Sequence, residues 1–525
     1  MTAVPLIAVP LAGGPPSTGV VYARLRVTDP ARWRALALAW RRWAAVAGRL
    51  SGEFTPLLAR LAAAWSGAAA TAAARRLVRL RHRLVLFRLA CWQADQAVSE
   101  FAATLARARA MLARARATGL TVADDGTAPG NPAPAAAADL ATALSVAAAA
   151  DATGADRLGR LTATIAGPAE PPAPDRPGCA ASPAAVRSWW AGLSPAQRRW
   201  LLATEPGSIG PLDGVPAADR DAANRLLLDA RRAELDRALL AADGRARARL
   251  RELRRGLDTL ADRLADDAGP RAYLLRLGLT EEGRAVVALG DPDRAASVLT
   301  HVPGMTADLA SAGGELTRAE RVAVRAAELG PATATSAVLW LDYDAPDFID
   351  EAASARRAQA AAPTLRRFQD GLRASHDGPA ARQTVLGHSY GSLVVGTAAA
   401  TPGLAADSVI FVGSPGVGVD SASRLHVPPG EVWSATSRSD IIQYAAVAPA
   451  GLGRDLATAF TVPVVGPWLA FGRPEQDLWF GHNPSDAAFG ARVFATQADA
   501  GHLGYWDRGR PALDTLAAIT LGTAR

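Results

Sequence analysis

Residues 387–391, which read Gly-His-Ser-Tyr-Gly, constrain the fold of this chain more than any other feature. An apolar run at 384–386 leads into them, and a helical pattern of small residues follows over 392–400. A Gly-x-Ser-x-Gly turn between a strand and a helix presents its serine at the carboxyl edge of a sheet. Glycine on both sides lets the strand and the helix approach closely. The pattern predicts that Ser389 is a nucleophile, and the alternative is a tight turn with a buried serine.

A nucleophilic serine needs a base that removes its proton and an acid that orients the base. In a strand–turn–helix site of this kind, the acid and then the base follow the serine along the chain. Asp440 comes after the apolar run 431–436 and is the predicted acid. His502, in a glycine-flanked loop near the end of the chain, is the predicted base. Competing acids and bases are Asp420, Asp477 and Asp486, and His482 and His426, with Asp420 and His482 as the runners-up.

The oxyanion of an acyl-transfer intermediate needs N–H donors. One is expected from the backbone of Tyr390, directly after the nucleophile. The other is expected from the loop 301–306, where Pro-Gly makes a sharp turn. The predicted donor there is the N–H of Met305, with Thr306 as the alternative, because proline has no N–H to donate.

Three further polar residues lie close to these positions in the sequence. His388 precedes the serine, and its side chain should point away from the nucleophile, so a structural role is predicted. Asp342 and Asp344 alternate at a strand end and therefore share a face. They could hold a cation, although a solvated strand end or hydrogen bonding near the site fits them better.

Eight short β-rich runs alternate with helix-length segments beyond residue 270. The runs are 273–279, 285–289, 297–302, 337–343, 384–386, 408–412, 431–436 and 492–495. Such alternation predicts a mostly parallel sheet with helices on both faces, and the first two runs suit an antiparallel hairpin at its edge. Eight strands with the serine turn after the fifth form the α/β-hydrolase arrangement. We therefore predict an α/β-hydrolase domain over 270–525, preceded by an all-α region.

Two long helices are predicted near the start of the chain, over 31–64 and 68–117, with Trp-Ser-Gly at 65–67 between them. This region, 1–120, resembles the WXG family of helical hairpins exported by type VII secretion. The resemblance implies that Trp65 plugs the open end of the hairpin, that Gly67 allows the reversal, and that a helical protein partner binds. The export signal of that family, a tyrosine followed four residues later by an acid, is missing after the second helix.

The middle of the chain has two compositions. Residues 121–182 are rich in proline and alanine and predict a mobile linker with one helix over 134–152. Residues 183–269 predict further helices, over 186–202 and 220–263, that pack on the hydrolase domain. Trp189, Trp190 and Trp200 are expected to anchor that packing.

Composition gives no support for binding of nucleic acid, a metal or a cofactor. The 525 residues carry a net charge of +7, but all 57 Lys and Arg residues are arginine, a bias typical of GC-rich genomes, so the charge is weak evidence for nucleic acid. Arg75, Arg79 and Arg83 share a helix face, and a solvated face is expected there. Cys91 and Cys179 are too few for a disulfide framework or a metal cluster, and neither a metal nor a cofactor is predicted.

The predicted compartment is the cytoplasm, with export by a type VII-like route as the alternative. Residues 1–16 are apolar but lack a basic start and contain four prolines, so no signal peptide is expected. No uninterrupted apolar run is long enough to predict a transmembrane segment.

Several motifs together look like an uncharacterised bacterial α/β-hydrolase family that often follows a helical region. They are 302–304, 340–346, 387–392 and 501–502, with 189–194, 212–216 and 220–224. The resemblance covers 186 to the end of the chain and implies the fold and the triad Ser389, Asp440 and His502. The sequence thus predicts a serine hydrolase acting on a small-molecule or lipid ester or thioester. The alternative is a type VII secretion-associated interaction or effector protein.

Overall fold

The computed structural model describes residues 17–165, 174–178, 180–266, 268–442 and 477–525. The chain divides into two compact units. The first, which we call the helical unit, comprises Met1–Pro174 and Ser194–Thr204. The second, which we call the α/β unit, comprises Asp175–Leu193 and Glu205–Arg525. This division differs from the predicted domain boundaries, because residues 194–204 group with the helical unit.

The helices and strands are numbered in chain order over the described residues. The helices are α1 (Thr18–Val27), α2 (Pro30–Ala64), α3 (Ala68–Ala117), α4 (Pro134–Ile165), α5 (Pro183–Gly192), α6 (Pro195–Thr204), α7 (Pro206–Ile209), α8 (Ala217–Ala241), α9 (Gly244–Ala265), α10 (Ala312–Leu329), α11 (Ile349–Ala352), α12 (Arg356–Ser375), α13 (Tyr390–Ala399) and α14 (Pro511–Leu521). The strands are β1 (Ala272–Gly278), β2 (Arg284–Leu289), β3 (Ser297–Val302), β4 (Thr335–Leu341), β5 (Arg382–His388), β6 (Ser408–Val412), β7 (Val432–Ala435), β8 (Asp477–Leu478), β9 (Gly481–His482) and β10 (Arg492–Val493).

The helical unit is built on the hairpin of α2 and α3. Asp29 caps α2 by accepting a hydrogen bond from Ala31 N at 2.9 Å, and Pro30 occupies the first turn. The two helices end and begin at the residues that the sequence predicts. Gly67, at φ 100°, makes the reversal between them, in a conformation that glycine adopts without strain. Trp65 is 48% exposed, so the prediction that it plugs the hairpin is wrong.

Residues 121–182 contribute more structure than a linker. Helix α4 has 32 residues and runs well past the predicted end at residue 152. Its residues Ala136, Leu140 and Ala143 are buried in one cluster with α1 and α3. By length and composition alone, α4 could cross a membrane over Pro134–Thr162. The absence of a transmembrane segment therefore stays a prediction.

The α/β unit is organised around an eight-stranded sheet in the order β1-β2-β4-β3-β5-β6-β7-β10. Strand β2 is antiparallel to both β1 and β4, and the other neighbouring strands are parallel. The predicted eight strands, the edge hairpin and the serine turn after β5 are therefore confirmed. A separate antiparallel pair, β8 and β9, was not predicted.

Both faces of the sheet are buried, as the almost continuous apolar strands require. Helices α10 and α14 cover one face, where Leu386 and Ile410 are fully buried. Helices α8, α12 and α13 cover the other, where Val385 and Phe411 are fully buried. The predicted helix 220–263 is two helices, because α8 ends at Ala241 and α9 starts at Gly244.

Candidate active site

Ser389 lies between the last residue of β5 and the first residue of α13. Its backbone has φ 54° and ψ −128°, a conformation that costs a non-glycine residue of the order of 1–3 kcal/mol. The Ser389 N–H donates to Val412 O on β6 at 3.0 Å, which fixes the turn against the neighbouring strand. A Cβ built on Gly387 would lie 2.6 Å from Gly391 O, so glycine is required at the close approach of strand and helix. The turn thus holds the hydroxyl at the carboxyl edge of the sheet.

Asp440 and His502 are brought together from positions 62 residues apart, with Asp440 Oδ1 2.7 Å from His502 Nδ1. Asp440 also accepts hydrogen bonds from Ile442 N at 2.9 Å and from Tyr505 Oη at 2.5 Å. The carboxylate is fully buried, so these bonds compensate for the water that it loses. Because a carboxylate accepts hydrogen bonds, His502 Nδ1 is the donor to Asp440, and Nε2 is the ring nitrogen left for another partner.

Ser389 and His502 lie around the same residue, Gly413, which follows the Val412 carbonyl that binds Ser389 N. A Cβ built on Gly413 would be 2.6 Å from Asp440 Oδ2 and 3.1 Å from His502 Nδ1. Among the described residues, no hydrogen bond joins Ser389 Oγ to His502. Catalytic hydrogen bonds often tighten to bonding distance only when substrate binds.

The side chain of His388 contacts both the backbone and the ring of His502. Its Nε2 donates to His502 O at 2.9 Å, and the two imidazole centroids are 4.7 Å apart. Burial, followed by the neighbouring His502, holds the pKa of His388 well below its usual value, so the ring is neutral. His388 therefore has a structural role, as expected, because it positions the backbone of His502.

A buried polar group supports this arrangement. His301 Nε2 lies 2.8 Å from Glu315 Oε2, and the Trp506 ring contacts both His301 and His388, at 5.5 and 4.9 Å between centroids. Burial alone would raise the pKa of Glu315, but His301 and then Arg318 lower it to about 2. Glu315, Tyr505 and Trp506 were not predicted from the sequence. The aromatic pair three and four residues after His502 was the one available signal.

The loop after β3 lies against Ser389. A Cβ built on Gly304 would be 2.5 Å from Ser389 Cβ and 3.0 Å from Ser389 Oγ. Tyr343 Oη fixes the loop by donating to Pro303 O at 2.6 Å. The Thr306 N–H donates to Pro346 O at 2.8 Å, so the alternative oxyanion donor Thr306 is wrong. The N–H of Met305 and of Gly304 makes no hydrogen bond within the described residues.

The other expected oxyanion donor, the N–H of Tyr390, is the first N–H of α13. Such a group has no acceptor inside its own helix, and the positive end of the helix dipole adds to its attraction for an anion. Tyr390 is fixed by its side chain, because Tyr390 Oη donates to Ser354 O at 2.6 Å. The backbone donor is therefore held in place beside Ser389.

The competing acids and bases lie elsewhere. His482 Nδ1 and Nε2 are 3.2 and 3.3 Å from Asp477 and Asp486, and Asp420 accepts from His482 N at 3.2 Å. These four residues thus pair with one another. His426 is exposed, and its backbone N–H donates to Ala399 O on α13.

Asp342 and Asp344 are each paired with an arginine, so they do not form a shared cation site. Arg276 lies 3.0 Å from Asp342, and Arg357 binds Asp344. Burial raises the pKa of Asp342 to about 6, against the opposing effect of Arg276. Over the ranges that the structure describes, no three His, Cys, Asp or Glu side chains are grouped so that they could hold a metal ion.

Comparison with known proteins agrees with this architecture. A family model described as "Alpha/beta hydrolase" matches residues 280–450. An uncharacterized protein of Mycobacterium tuberculosis, strain H37Rv, is 29% identical over 373 residues, which is 64% of this chain and 55% of that protein. The chain thus spans about half the length of the first curated relatives that it matches. A hyperthermophilic esterase from Pyrobaculum calidifontis is 13% identical, with a TM-score of 0.27, and the match covers 56% of this chain and 98% of the esterase.

A second relative is covered more completely. An uncharacterized protein of Mycobacterium bovis is 31% identical over 240 residues, which is 44% of this chain and 80% of the relative. A protein of Mycobacterium tuberculosis matches to the same extent. Together with the family model and the eight-stranded sheet, these matches show that the chain belongs to a bacterial α/β-hydrolase family.

Proposed function

We propose that the protein is a serine hydrolase that cleaves carboxylic ester or thioester bonds through an acyl-enzyme. Ser389 is the nucleophile, His502 the base and Asp440 the residue that orients the base. The 2.7 Å contact between Asp440 and His502, beside a serine in a strained turn, is the observation that carries this proposal. A base and its orienting acid, both converging on a nucleophile, are the arrangement by which serine is activated near neutral pH.

The reaction follows from the positions of these groups. His502 Nε2 takes the proton of Ser389 Oγ as the oxygen attacks the substrate carbonyl carbon. The Asp440 carboxylate stabilises the imidazolium, and the N–H groups of Tyr390 and Met305 bind the oxyanion. The intermediate expels the alcohol or thiol, which takes the proton from His502. Water then attacks the acyl-enzyme with His502 as base, and the carboxylic acid leaves Ser389 free.

Turnover of soluble p-nitrophenyl esters tests the proposal. Ser389→Ala should lower kcat/KM by about 10⁴-fold or more, as removal of a triad nucleophile does in other serine hydrolases. The exposed Ser423 offers a matched control, and Ser423→Ala should leave the rate unchanged. Near-wild-type turnover by a folded Ser389→Ala variant would rule out the assignment.

We propose a second function for the helical unit, which is binding of a helical protein partner. Leu36, Trp43, Leu50 and Leu57 are exposed on α2 and recur every seven residues. The partly buried Trp40, Phe54 and Leu61 and the buried Ala47 alternate with them at spacings of four and three. This is the heptad repeat of a helix that packs along another helix. The repeat favours the partner that the WXG resemblance implies and fits a type VII secretion-associated role.

Charge indicates the chemistry of this partner. Between residues 30 and 94, Glu53 is the one acidic residue among many arginines. A second copy would repel this surface, so a helix with an apolar heptad stripe and acidic flanks is expected. A synthetic peptide of that design should bind the full chain saturably, and Leu50→Glu with Leu57→Glu should abolish binding. Val27→Glu, at an exposed residue of α1, is the control. Equal binding by both variants would contradict the proposal.

A further inference from the structure

Exposed apolar side chains of the α/β unit are concentrated around the candidate active site. Among its described residues, eight large hydrophobic residues are exposed: Leu240, Met305, Leu329, Phe348, Ile349, Ile441, Val493 and Leu503. Five of these eight lie in segments that follow the carboxyl ends of strands or carry the site residues. We call Met305, Phe348, Ile349, Ile441 and Leu503 the apolar rim.

Three members of the rim are chain neighbours of the site residues. Met305 follows Gly304, which packs against Ser389. Ile441 follows Asp440, and Leu503 follows His502, with Asp440 and His502 2.7 Å apart. The backbone therefore keeps these three side chains next to residues of the candidate site.

Phe348 and Ile349 lie at the start of α11, in the segment between β4 and α12. Pro346 O accepts a hydrogen bond from Thr306 N at 2.8 Å, which joins this loop to the one that carries Met305. Phe348 and Ile349 are both 67% exposed, although the strands behind them are fully buried. Large apolar side chains clustered in the open are a feature of surfaces that receive a ligand or a partner.

The charges beside the rim select among apolar ligands. Asp347 and Asp350 flank Phe348 and Ile349, and Glu351 follows them. Glu351 is paired with Arg357 at 2.9 Å, so that arginine is not free to bind an anionic headgroup. An anionic lipid surface would be repelled by these carboxylates, whereas a neutral acyl chain would not.

We propose that the apolar rim seats the acyl chain of a neutral, water-insoluble ester presented at a lipid surface, so that the substrate class is a lipid ester. This inference rests on the proposed hydrolase function of Ser389. It also explains a preference for long-chain over short-chain esters. A long acyl chain buries the rim side chains and so gains binding free energy that a short ester cannot gain.

The test compares two substrates in the full chain. One is p-nitrophenyl butyrate in solution, and the other is p-nitrophenyl palmitate in neutral detergent micelles. The variant Phe348→Ser with Ile349→Ser should lower the palmitate-to-butyrate ratio of kcat/KM about tenfold, since two large apolar contacts are lost. Leu240→Ser removes an even more exposed apolar side chain near the end of α8 and should leave the ratio unchanged.

The outcomes separate this inference from the proposed function. An unchanged ratio in the double variant would overturn the proposal that the apolar rim seats the acyl chain. Loss of both activities in Ser389→Ala supports the proposed function, and their retention would refute it. In that case, flotation of the full chain with phosphatidylcholine vesicles still tests the rim. Flotation lost in the double variant supports it, and no flotation, or preference for phosphatidylglycerol vesicles, overturns it.

Discussion

Helix α2 of the helical unit and the α/β unit place their tryptophans differently. In the helical unit, α2 buries Ala37, Ala44 and Ala47 and exposes Trp43, and Trp65 follows it in the open. In the α/β unit, by contrast, Trp190, Trp340 and Trp506 are fully buried. A core of small residues brings helices close and leaves large apolar side chains free for a partner. A core of large residues fixes one arrangement of strands and loops, which is what a site of scattered residues requires.

Buried polar groups sharpen the same contrast. In the α/β unit they support the site, because Glu315, Tyr505 and His388 each bond a group within or directly behind it. In the helical unit, the buried Asp95 accepts from Arg41 Nε at 2.8 Å and joins the two helices of the hairpin. These buried polar groups thus position the site residues in the α/β unit and join two helices in the helical unit.

The largest expected effect comes from a methyl group at the site. Gly304→Ala places its Cβ within 3.0 Å of Ser389 Oγ and should lower kcat/KM about a thousandfold, because it displaces the nucleophile or the oxyanion loop. Gly314, in α10, has nothing within 4 Å of a built Cβ. Gly314→Ala should therefore leave activity unchanged and stabilise the chain by about 0.5–1 kcal/mol. Ester turnover and guanidinium unfolding measure the two effects, and full activity in Gly304→Ala would contradict the assigned position of the loop.

In the helical unit, the corresponding test removes a buried charge. Asp95→Ala deprives Arg41 of a buried partner and should reduce the free energy of unfolding of this unit by about 4 kcal/mol. Asp139 forms a more exposed pair with Arg114 at 3.5 Å, so Asp139→Ala should cost under about 1 kcal/mol. Denaturant unfolding followed by helical circular dichroism measures both. Equal effects would show that the Asp95 pair does not hold the hairpin together.

The third effect is a pH dependence in the α/β unit. The pKa of Glu315 is about 2 in the folded chain and 4.5 ordinarily, so its carboxylate stabilises the fold by about 3 kcal/mol above pH ~4.5. Because the folded pKa is depressed, this contribution is lost as pH falls through about 2. Glu315→Gln should be less stable than wild type at pH 6, and the difference should shrink below pH ~4.5. Glu328→Gln, at an exposed residue of the same helix, should show no such trend. A difference between Glu315→Gln and wild type that is independent of pH would contradict the lowered pKa of Glu315.

The sheet of this molecule can be predicted well from the sequence, because local patterns of apolar residues and turns determine where its strands lie. Apolar runs and turns fix the eight strands, and the glycines around Ser389 fix the sharp turn. Asp440 and His502 follow from chain order, because each comes after a strand whose carboxyl end meets the same edge of the sheet. The position of Gly304 against Ser389 depends on how two loops meet, and no local pattern reports it.

Other features escape prediction for the same reason. The alanine-rich residues 134–165 have the composition of a linker, and their burial against α1 and α3 makes them a helix of the unit. Trp65 has the sequence context of a plug and lies exposed, because packing beyond the three-residue motif decides its position. Tyr505 and Glu315 bond groups 65 and 14 residues away, and such partners become visible only in the fold.

The most direct test of the hydrolase assignment is covalent labelling of the full chain with a fluorophosphonate, followed by peptide mass spectrometry. We expect a single adduct on Ser389, abolished in Ser389→Ala and strongly slowed in His502→Ala, because the hydroxyl reacts only when the imidazole takes its proton. An adduct on any other serine, or undiminished labelling of Ser389→Ala, would contradict the central claim that Ser389, His502 and Asp440 act together.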